Sequence, residues 1–226
     1  MSIQNQTFKN YEVWIIDNAS SDGTLEYLQT LEKPFYWISE PDKGVYDAMN
    51  KGISLAKGEW LCFLGADDQL FNKTTLATIF SRPITDQPKI LIGKIKYDWK
   101  EKDSVFIKRK DGLVTSSWSK KLWIKNVLHH QSLFYRKELF ATRKYSLKYK
   151  ILADYAFNLH LYKKRIKIRI VDETIAVCGT EGLSKKYNWN LYKEEIELKT
   201  GESSLLLKPL FFFIAFVKYL LKRGNL

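Results

Sequence analysis

The first 80 residues repeat one pattern three times, and this repeat constrains the fold more than any other feature of the chain. A short apolar run is followed by a polar turn and then by an amphipathic stretch, with the apolar runs at residues 11–17, 35–39 and 59–64. Consecutive strand-to-helix units joined by short loops are typical of a parallel sheet with right-handed crossovers. The sequence therefore predicts an α/β fold with a mostly parallel sheet flanked by helices.

Carboxylates stand where two of these predicted strands end. Asp17 closes the first run, and the adjacent pair Asp67 and Asp68 follows the third. Ligands of such sheets bind at the carboxyl ends of the strands, so we expect all three side chains on one rim. Neighbouring carboxylates repel each other unless a cation or hydrogen-bond donors offset the repulsion, and Mg²⁺ or Mn²⁺ can do so while bridging a diphosphate. Taken alone, the pair is explained equally well as a helix N-cap beside a solvated neighbour.

Four segments of this region resemble, in order and spacing, the successive motifs of family 2 glycosyltransferases. They are QTFKNYE at 6–12, IDNASSDGT at 16–24, EPDKGVYDAMNKG at 40–52 and LGADD at 64–68. The resemblance implies a GT-A-like, Rossmann-like fold and a nucleotide-sugar donor, with a UDP-sugar favoured. It also implies that Asp17 recognises the base, that Asp67 contacts the ribose and that Asp68 ligates a Mg or Mn divalent cation. Lys43 is expected near the nucleotide, although a lysine ahead of a helix is also explained as ordinary surface.

The pattern changes after about residue 88, where a mixed region begins. We expect a donor-binding half at 1–88, an acceptor-binding half of the same domain at 89–203 and an apolar or amphipathic helix at 204–226. The pattern predicts a helix over residues 154–163. Asp154, in the segment 149–157, resembles the family's catalytic base, and the preceding segment 129–135 supports that register. The resemblance then implies inversion at the anomeric carbon. Two alternatives stay open, since Asp154 could be a helix N-cap and His130 could line the acceptor site, although we expect it beneath that site.

Charge is distributed unevenly along the chain. The net charge is +12, with 6 Lys and Arg against 11 Asp and Glu in residues 1–80, and 31 against 14 in residues 81–226. The basic part favours an anionic partner. The apolar run of residues 205–223 is flanked by cations, and Pro209 is expected to interrupt it, so an interfacial membrane segment fits better than a span. A buried terminal helix or an oligomer contact is the alternative. No nucleic-acid reader motif accompanies the basic residues.

These features together predict an inverting, metal-dependent glycosyltransferase that acts on a hydroxyl of a glycan or lipid-linked acceptor, in cell-surface polysaccharide synthesis. Two cysteines without metal-ligand spacing and the lack of a leader pattern favour a cytoplasmic location, peripheral at the inner face of the membrane. The family's first strand has no counterpart here, and we expect weak donor binding and low activity unless about 30 upstream residues are restored. The alternative is a catalytically degenerate GT-A-like binding or scaffold protein. A sugar-nucleotide pyrophosphorylase is disfavoured because no glycine-rich phosphate loop is present.

Overall fold

A computed structural model describes residues 2–81, 83–98, 112–179 and 188–223. Eight strands and six α-helices lie in these ranges. The strands are β1 (Val13–Asp17), β2 (Phe35–Ser39), β3 (Trp60–Leu61), β4 (Gln69–Leu70), β5 (Ile90–Tyr97), β6 (Leu113–Thr115), β7 (Leu133–Arg136) and β8 (Ile168–Cys178). The helices are α1 (Thr24–Gln29), α2 (Val45–Leu55), α3 (Thr75–Phe80), α4 (Ala153–Lys163), α5 (Trp189–Glu202) and α6 (Lys208–Arg223).

The first two strand-to-helix units form as the sequence predicts. β1 and β2 pair in parallel, with Asp17 opposite Ser39 at their carboxyl ends. α2 packs on β1, with Gly52 facing Ile16. Buried residues of α2 such as Ile53 face the core. The result is a small parallel sheet whose two strand-end loops lie side by side.

The third unit departs from the predicted parallel arrangement. The run at 59–64 supplies only the two-residue strand β3, which pairs antiparallel with β7. The larger sheet has the order β3-β7-β5-β8-β4, with β6 on β5, and β5–β8 is its one parallel pairing among the described residues. Because β7 runs opposite to both β3 and β5 and lies between them, those two strands cannot pair with each other. The prediction of a mostly parallel sheet is therefore wrong for this sheet, although the α/β architecture holds.

The core of the molecule lies between the larger sheet and α4. Ile90 and Ile92 of β5 are fully buried, as expected for a strand covered on both faces. α4 is buried on nearly all sides, and Phe157 stacks on Phe140 with ring centroids 4.6 Å apart. The buried positions of this helix are mostly apolar, and Asp154 and Asn158 are its buried polar residues. The predicted helix at 154–163 is confirmed to within one residue, and its first turn is fixed by the core.

The two last helices, α5 and α6, pack against each other. Phe211 and Ala215 of α6 are buried at this contact. Pro209 lies in the first turn of α6, where its missing N–H costs nothing, so the expectation that it interrupts the segment is wrong. Across the parts of the chain that the structure describes, no helix combines the length and the hydropathy needed to cross a bilayer.

Candidate active site

Asp17 ends β1 and is held by a loop that folds back over it. Its carboxylate accepts hydrogen bonds from Ser20 N (3.0 Å), from Ser20 Oγ (2.5 Å) and from Ser39 Oγ (2.6 Å) at the end of β2. These hydrogen bonds lower the pKa of Asp17 and outweigh the opposing effect of its burial. Asp17 is therefore ionised and oriented at neutral pH, in the loop region where the sequence predicts base recognition.

Lys43 lies in the neighbouring loop, between β2 and α2. Asn18 Oδ1 accepts from Asp42 N (2.7 Å), which ties this loop to the one after Asp17. Gly44 has a φ of 113°, a conformation that favours glycine, and its N donates to Asp42 Oδ1 (2.7 Å). The Lys43 side chain is exposed. The structure thus brings Lys43 into the same loop pair as Asp17, while its contact with a nucleotide stays a prediction.

Asp67 and Asp68 converge on Gly65 in the turn after β3. Asp68 Oδ2 accepts from Gly65 N (2.8 Å) and from Gln131 Nε2 (3.0 Å). A Cβ at Gly65 would lie 3.0 Å from Asp68 Oδ2 and 3.1 Å from Asp67 Oδ1, so the absence of a side chain there leaves room for both carboxylates. Asp67 is exposed, and its Oδ2 would lie 2.4 Å from a Cβ at Gly179, immediately after β8. Two glycines therefore shape the surroundings of the acidic pair.

The acidic pair suits a divalent cation that arrives with a diphosphate better than it suits a preformed metal cage. Within the described ranges, no group of three or more His, Cys, Asp or Glu side chains could hold a metal ion. Mg²⁺ commonly keeps several waters and takes one or two carboxylates together with substrate phosphates. Asp68 can supply one such carboxylate, since its Oδ1 accepts no hydrogen bond from the residues described here. The residues present fit this type of site, with Asp68 as the candidate ligand.

Asp154 is the second residue of α4 and is 7% exposed. Its Oδ1 accepts from Tyr46 Oη (2.8 Å), and its Oδ2 lies 3.6 Å from His130 Nδ1. Burial by itself would raise the pKa of Asp154, but the neighbouring His130 and the hydrogen bond from Tyr46 together lower it. The N-cap position of α4 belongs to Leu152, so the N-cap alternative does not describe Asp154.

Two consecutive residues connect the acidic pair to Asp154. Gln131 binds Asp68, and His130, its neighbour in the 3-10 helix His130–Ser132, contacts Asp154. The His130 side chain is 33% exposed, so it lies beside Asp154 rather than packed out of reach beneath the site. Sequence reasoning missed Gln131 and Tyr46. The one available signal for Gln131 was its place in the segment 129–135, and nothing in the sequence indicated which side chains it would meet.

Asp17 and Lys43 belong to a separate hydrogen-bonded group from Asp68 and Asp154. No hydrogen bond between described residues joins the two groups directly. They are related through α2, which starts after the Lys43 loop and carries Tyr46 in its first turn. The candidate residues therefore fall into two groups: the loop pair with Asp17 and Lys43, and Asp68 and Asp154, which contact the neighbouring residues Gln131 and His130.

Comparison with known proteins gives a consistent result. The family described as Glycosyl transferase family 2 matches residues 1–170. A PGL/p-HBAD biosynthesis glycosyltransferase of Mycobacterium bovis is 34% identical over 175 residues, covering 71% of this chain and 62% of that protein. A cholesterol galactosyltransferase of Borreliella burgdorferi is 30% identical over 93 residues, covering 40% of this chain and 26% of that protein. The chain thus spans less than two thirds of the length of these relatives.

Solved structures share the fold over nearly the whole chain. S. aureus TarS 1–349 in complex with UDP-GlcNAc has a TM-score of 0.66 at 20% identity, covering 95% of this chain and 64% of that one. The mannosyltransferase PcManGT from Pyrobaculum calidifontis, in complex with GDP-Man and Mn²⁺, has a TM-score of 0.57 at 15% identity, covering 99% and 69%. Likenesses at this identity concern the fold alone, and they confirm the predicted GT-A-like α/β class.

Proposed function

Because the chain belongs to glycosyl transferase family 2, we propose that it transfers a sugar from a nucleotide-diphospho-sugar to an acceptor hydroxyl with inversion at the anomeric carbon. The observation that carries the proposal is the connection from Asp68 through Gln131 and His130 to Asp154. The proposal is supported because a carboxylate that could serve the leaving group and a buried carboxylate that could take a proton both contact one 3-10 turn. Inverting transfer needs these two functions on opposite sides of the reacting carbon.

We assign the donor nucleotide to the two loops that hold Asp17 and Lys43 and to the exposed side chain of Asp67. Asp17, ionised and oriented by its serine hydroxyls, accepts hydrogen bonds from the base, and Lys43 stands near the nucleotide phosphates. Asp67 presents a carboxylate to the ribose hydroxyls, since within the described ranges it accepts no hydrogen bond from the protein. A UDP-sugar is favoured, in keeping with the UDP-GlcNAc bound by TarS, while PcManGT binds GDP-Man.

Asp68 is assigned to the metal. When bound, Mg²⁺ or Mn²⁺ neutralises the charge that accumulates on the diphosphate as the sugar departs. The amide of Gln131 and the N–H of Gly65 hold Oδ2 of Asp68, which fixes the direction of Oδ1. A carboxylate oriented in this way loses less freedom when it binds a cation. The structure of PcManGT in complex with GDP-Man and Mn²⁺ is consistent with the assignment.

Asp154 is assigned the role of general base. It takes the proton of the acceptor hydroxyl, whose oxygen then forms the bond to the anomeric carbon while the bond from that carbon to the diphosphate oxygen breaks. The lowered pKa of Asp154 keeps it ionised and ready to accept that proton at neutral pH. The hydroxyl of Tyr46 and the imidazole of His130 hold the carboxylate in one orientation.

The acceptor is proposed to be a glycan or a lipid-linked molecule of cell-surface polysaccharide synthesis, met on the cytoplasmic side of the membrane. The excess of 17 positive charges in residues 81–226 supports an anionic or membrane-bound acceptor. The relatives named for PGL/p-HBAD biosynthesis and as a cholesterol galactosyltransferase are compatible with this choice.

A panel of UDP-sugars and GDP-mannose, with and without Mn²⁺, tests the donor and metal assignments. We expect one UDP-sugar to raise the melting temperature of the wild type in the presence of Mn²⁺, and Asp68→Asn to lose most of that increase. Asp172→Asn is the matched control, because Asp172 is an exposed carboxylate paired with Lys94 outside the site. A nucleotide-sugar response that is equal with and without Mn²⁺ in wild type and Asp68→Asn would contradict the metal assignment.

Measurement of nucleotide release separates the enzyme from the alternative, a catalytically degenerate GT-A-like binding or scaffold protein. The enzyme releases UDP at a rate that increases when a suitable acceptor is added. A degenerate protein binds the donor in the thermal-shift panel but releases no nucleotide with any acceptor.

A further inference from the structure

α6 carries a stripe of large apolar side chains that faces away from the protein. Leu210, Phe213, Val217 and Leu220 recur at three- and four-residue spacing, so they share one side of the helix. All four are exposed, Phe213 by 65%. We call these four residues the α6 face. Leu206, which is 89% exposed, stands just ahead of it in the chain. Soluble monomers rarely leave a contiguous apolar patch of this kind uncovered.

The opposite side of α6 is firmly packed, which fixes the direction of the α6 face. Phe211 is buried and stacks on Trp123 with an interplanar angle of 10°. Lys218 donates to both carboxylate oxygens of Glu195 in α5 at 2.6 Å. Glu195 is itself buried and also accepts from Lys199. Because these contacts orient the helix, its apolar stripe is presented outward as part of the fold.

A distant part of the chain adds cations beside α6. Lys218 also donates to Ile124 O (3.3 Å), so the segment 120–125 lies against the helix together with Trp123. Lys120, Lys121 and Lys125 of that segment are exposed. Neither residues 113–136 nor residues 203–226 contain an Asp or Glu. Three exposed lysines therefore lie on a segment packed against α6, and neither of these two segments supplies a carboxylate to compensate their charge.

We propose that the α6 face, together with Lys120, Lys121 and Lys125, docks on an anionic lipid surface. At sixteen residues α6 is about 24 Å long, too short for the hydrocarbon core but suited to lie in the plane of the interface. A second copy of the chain fits less well, because a twofold contact through this surface would set the same lysines against each other. Anionic headgroups instead neutralise them.

The segment that carries the docking lysines is connected to the candidate base, Asp154, through its neighbour in sequence. Tyr155, the residue after Asp154, donates its hydroxyl to Leu122 O, and Leu122 lies in the 3-10 helix Lys120–Trp123 that bears two of the lysines. Binding through the α6 face would thus bring Asp154 close to the membrane surface. The docking inference itself does not rest on the proposed sugar transfer, because lipid binding is measured without donor or acceptor.

Sedimentation with vesicles tests the docking surface. The full chain is mixed with vesicles of phosphatidylcholine alone, or of equal parts phosphatidylcholine and phosphatidylglycerol. We expect binding to the anionic vesicles, at least about tenfold tighter than to the neutral ones. Phe213→Glu should weaken it about tenfold or more. Ile170→Glu, a matched change at a residue that is 60% exposed on β8, should leave it unchanged.

Charge reversal tests the lysines separately. Lys120→Glu, Lys121→Glu and Lys125→Glu combined should weaken binding to anionic vesicles by on the order of a hundredfold, at about fivefold per lysine. The control combines Lys9→Glu, Lys33→Glu and Lys57→Glu, which changes the net charge equally at exposed sites in the first part of the chain. Folding of each variant is checked by circular dichroism.

Three results would overturn the inference. One is equal sedimentation with neutral and anionic vesicles, or none with either. Another is an equal loss of binding in the control and test variants. The third is a concentration-dependent dimer in sedimentation velocity that Phe213→Glu abolishes while vesicle binding is absent, since this would make a second copy the occupant of the α6 face.

Discussion

Asp17 and Asp154 are both buried carboxylates with a lowered pKa, yet their surroundings differ in kind. Asp17 is held by two serine hydroxyls and one backbone N–H, none of which changes charge near neutral pH. Asp154 is held by the hydroxyl of Tyr46 and lies 3.6 Å from Nδ1 of His130, a basic side chain. The first arrangement suits a carboxylate that only accepts hydrogen bonds from a ligand. The second suits one whose proton affinity matters to the chemistry.

Removal of the charge at Asp154 should have the largest effect. Asp154→Asn keeps the shape of the side chain but cannot take a proton, so we expect nucleotide release in the presence of acceptor to fall by about 10²- to 10⁴-fold. Donor affinity should stay close to that of the wild type, because Asp17 and Lys43 lie in another hydrogen-bonded group. Steady-state kinetics and calorimetry measure the two quantities. An equal loss of donor affinity would show that the two carboxylates do not have separate roles.

The same substitution at Asp17 should act on binding instead. An amide at this position cannot accept from both serines and the base, so Asp17→Asn should weaken donor binding by about tenfold or more. It should also lower the stability of the protein by about 1–3 kcal/mol, because one of the donors now facing the side chain loses its partner. Calorimetry with the donor and thermal melting check both effects. Unchanged donor affinity would argue against base recognition by Asp17.

A substitution at Gly179 tests the role of Asp67, the exposed neighbour of the proposed metal ligand Asp68. A Cβ at Gly179 would lie 2.4 Å from Asp67 Oδ2, so Gly179→Ala should displace that carboxylate and weaken donor binding by roughly fivefold, the effect of losing one net hydrogen bond. Gly201→Ala in α5 is the control, since a Cβ there meets nothing within 4 Å and should stabilise the helix by about 0.5–1 kcal/mol. An equal donor affinity of Gly179→Ala and Gly201→Ala would argue against a contact between Asp67 and the ribose.

The pH dependence of turnover tests whether His130 sets the pKa of Asp154 without affecting Asp17. A base must be unprotonated, so activity is lost as the pH falls through the pKa of Asp154, which lies below the ordinary aspartate value. His130→Gln removes the imidazole that lowers this pKa, so the acid limb of the kcat/KM profile should move to higher pH. The profile for donor binding, which depends on Asp17, should not move. If both profiles shift together, His130 acts on the fold rather than on Asp154.

The sequence predicts the donor side of the candidate site better than the acceptor side. Asp17 is found where β1 ends because short-range periodicity fixes strand ends, and the parallel pairing of β1 with β2 follows from the same signal. Asp67 and Asp68 instead lie in the turn between β3 and β4, six and seven residues after β3 ends. Asp154 was identified through a resemblance, and its helix starts within one residue of the predicted position.

Contacts between distant residues could not be predicted in the same way. Gln131 meets Asp68 across 63 residues, and Tyr46 meets Asp154 across 108. The insertion of β7 between β3 and β5 is also non-local, and it produces the mixed sheet that the sequence pattern did not indicate. A single sequence contains no local signal for such pairings, since many chain arrangements satisfy the same periodicity.

The N-terminus of helix α2 links the two hydrogen-bonded groups of the candidate site. It follows the loop of Lys43, and its second residue, Tyr46, lies within hydrogen-bond distance of both Ile151 O and Asp154 Oδ1. A movement of that loop on donor entry would therefore reach the proposed base within a single helical turn. Substitutions in residues 42–44 should therefore change the turnover number as well as the donor affinity. The order in which the two substrates bind would then be set by the backbone of this region rather than by any single contact.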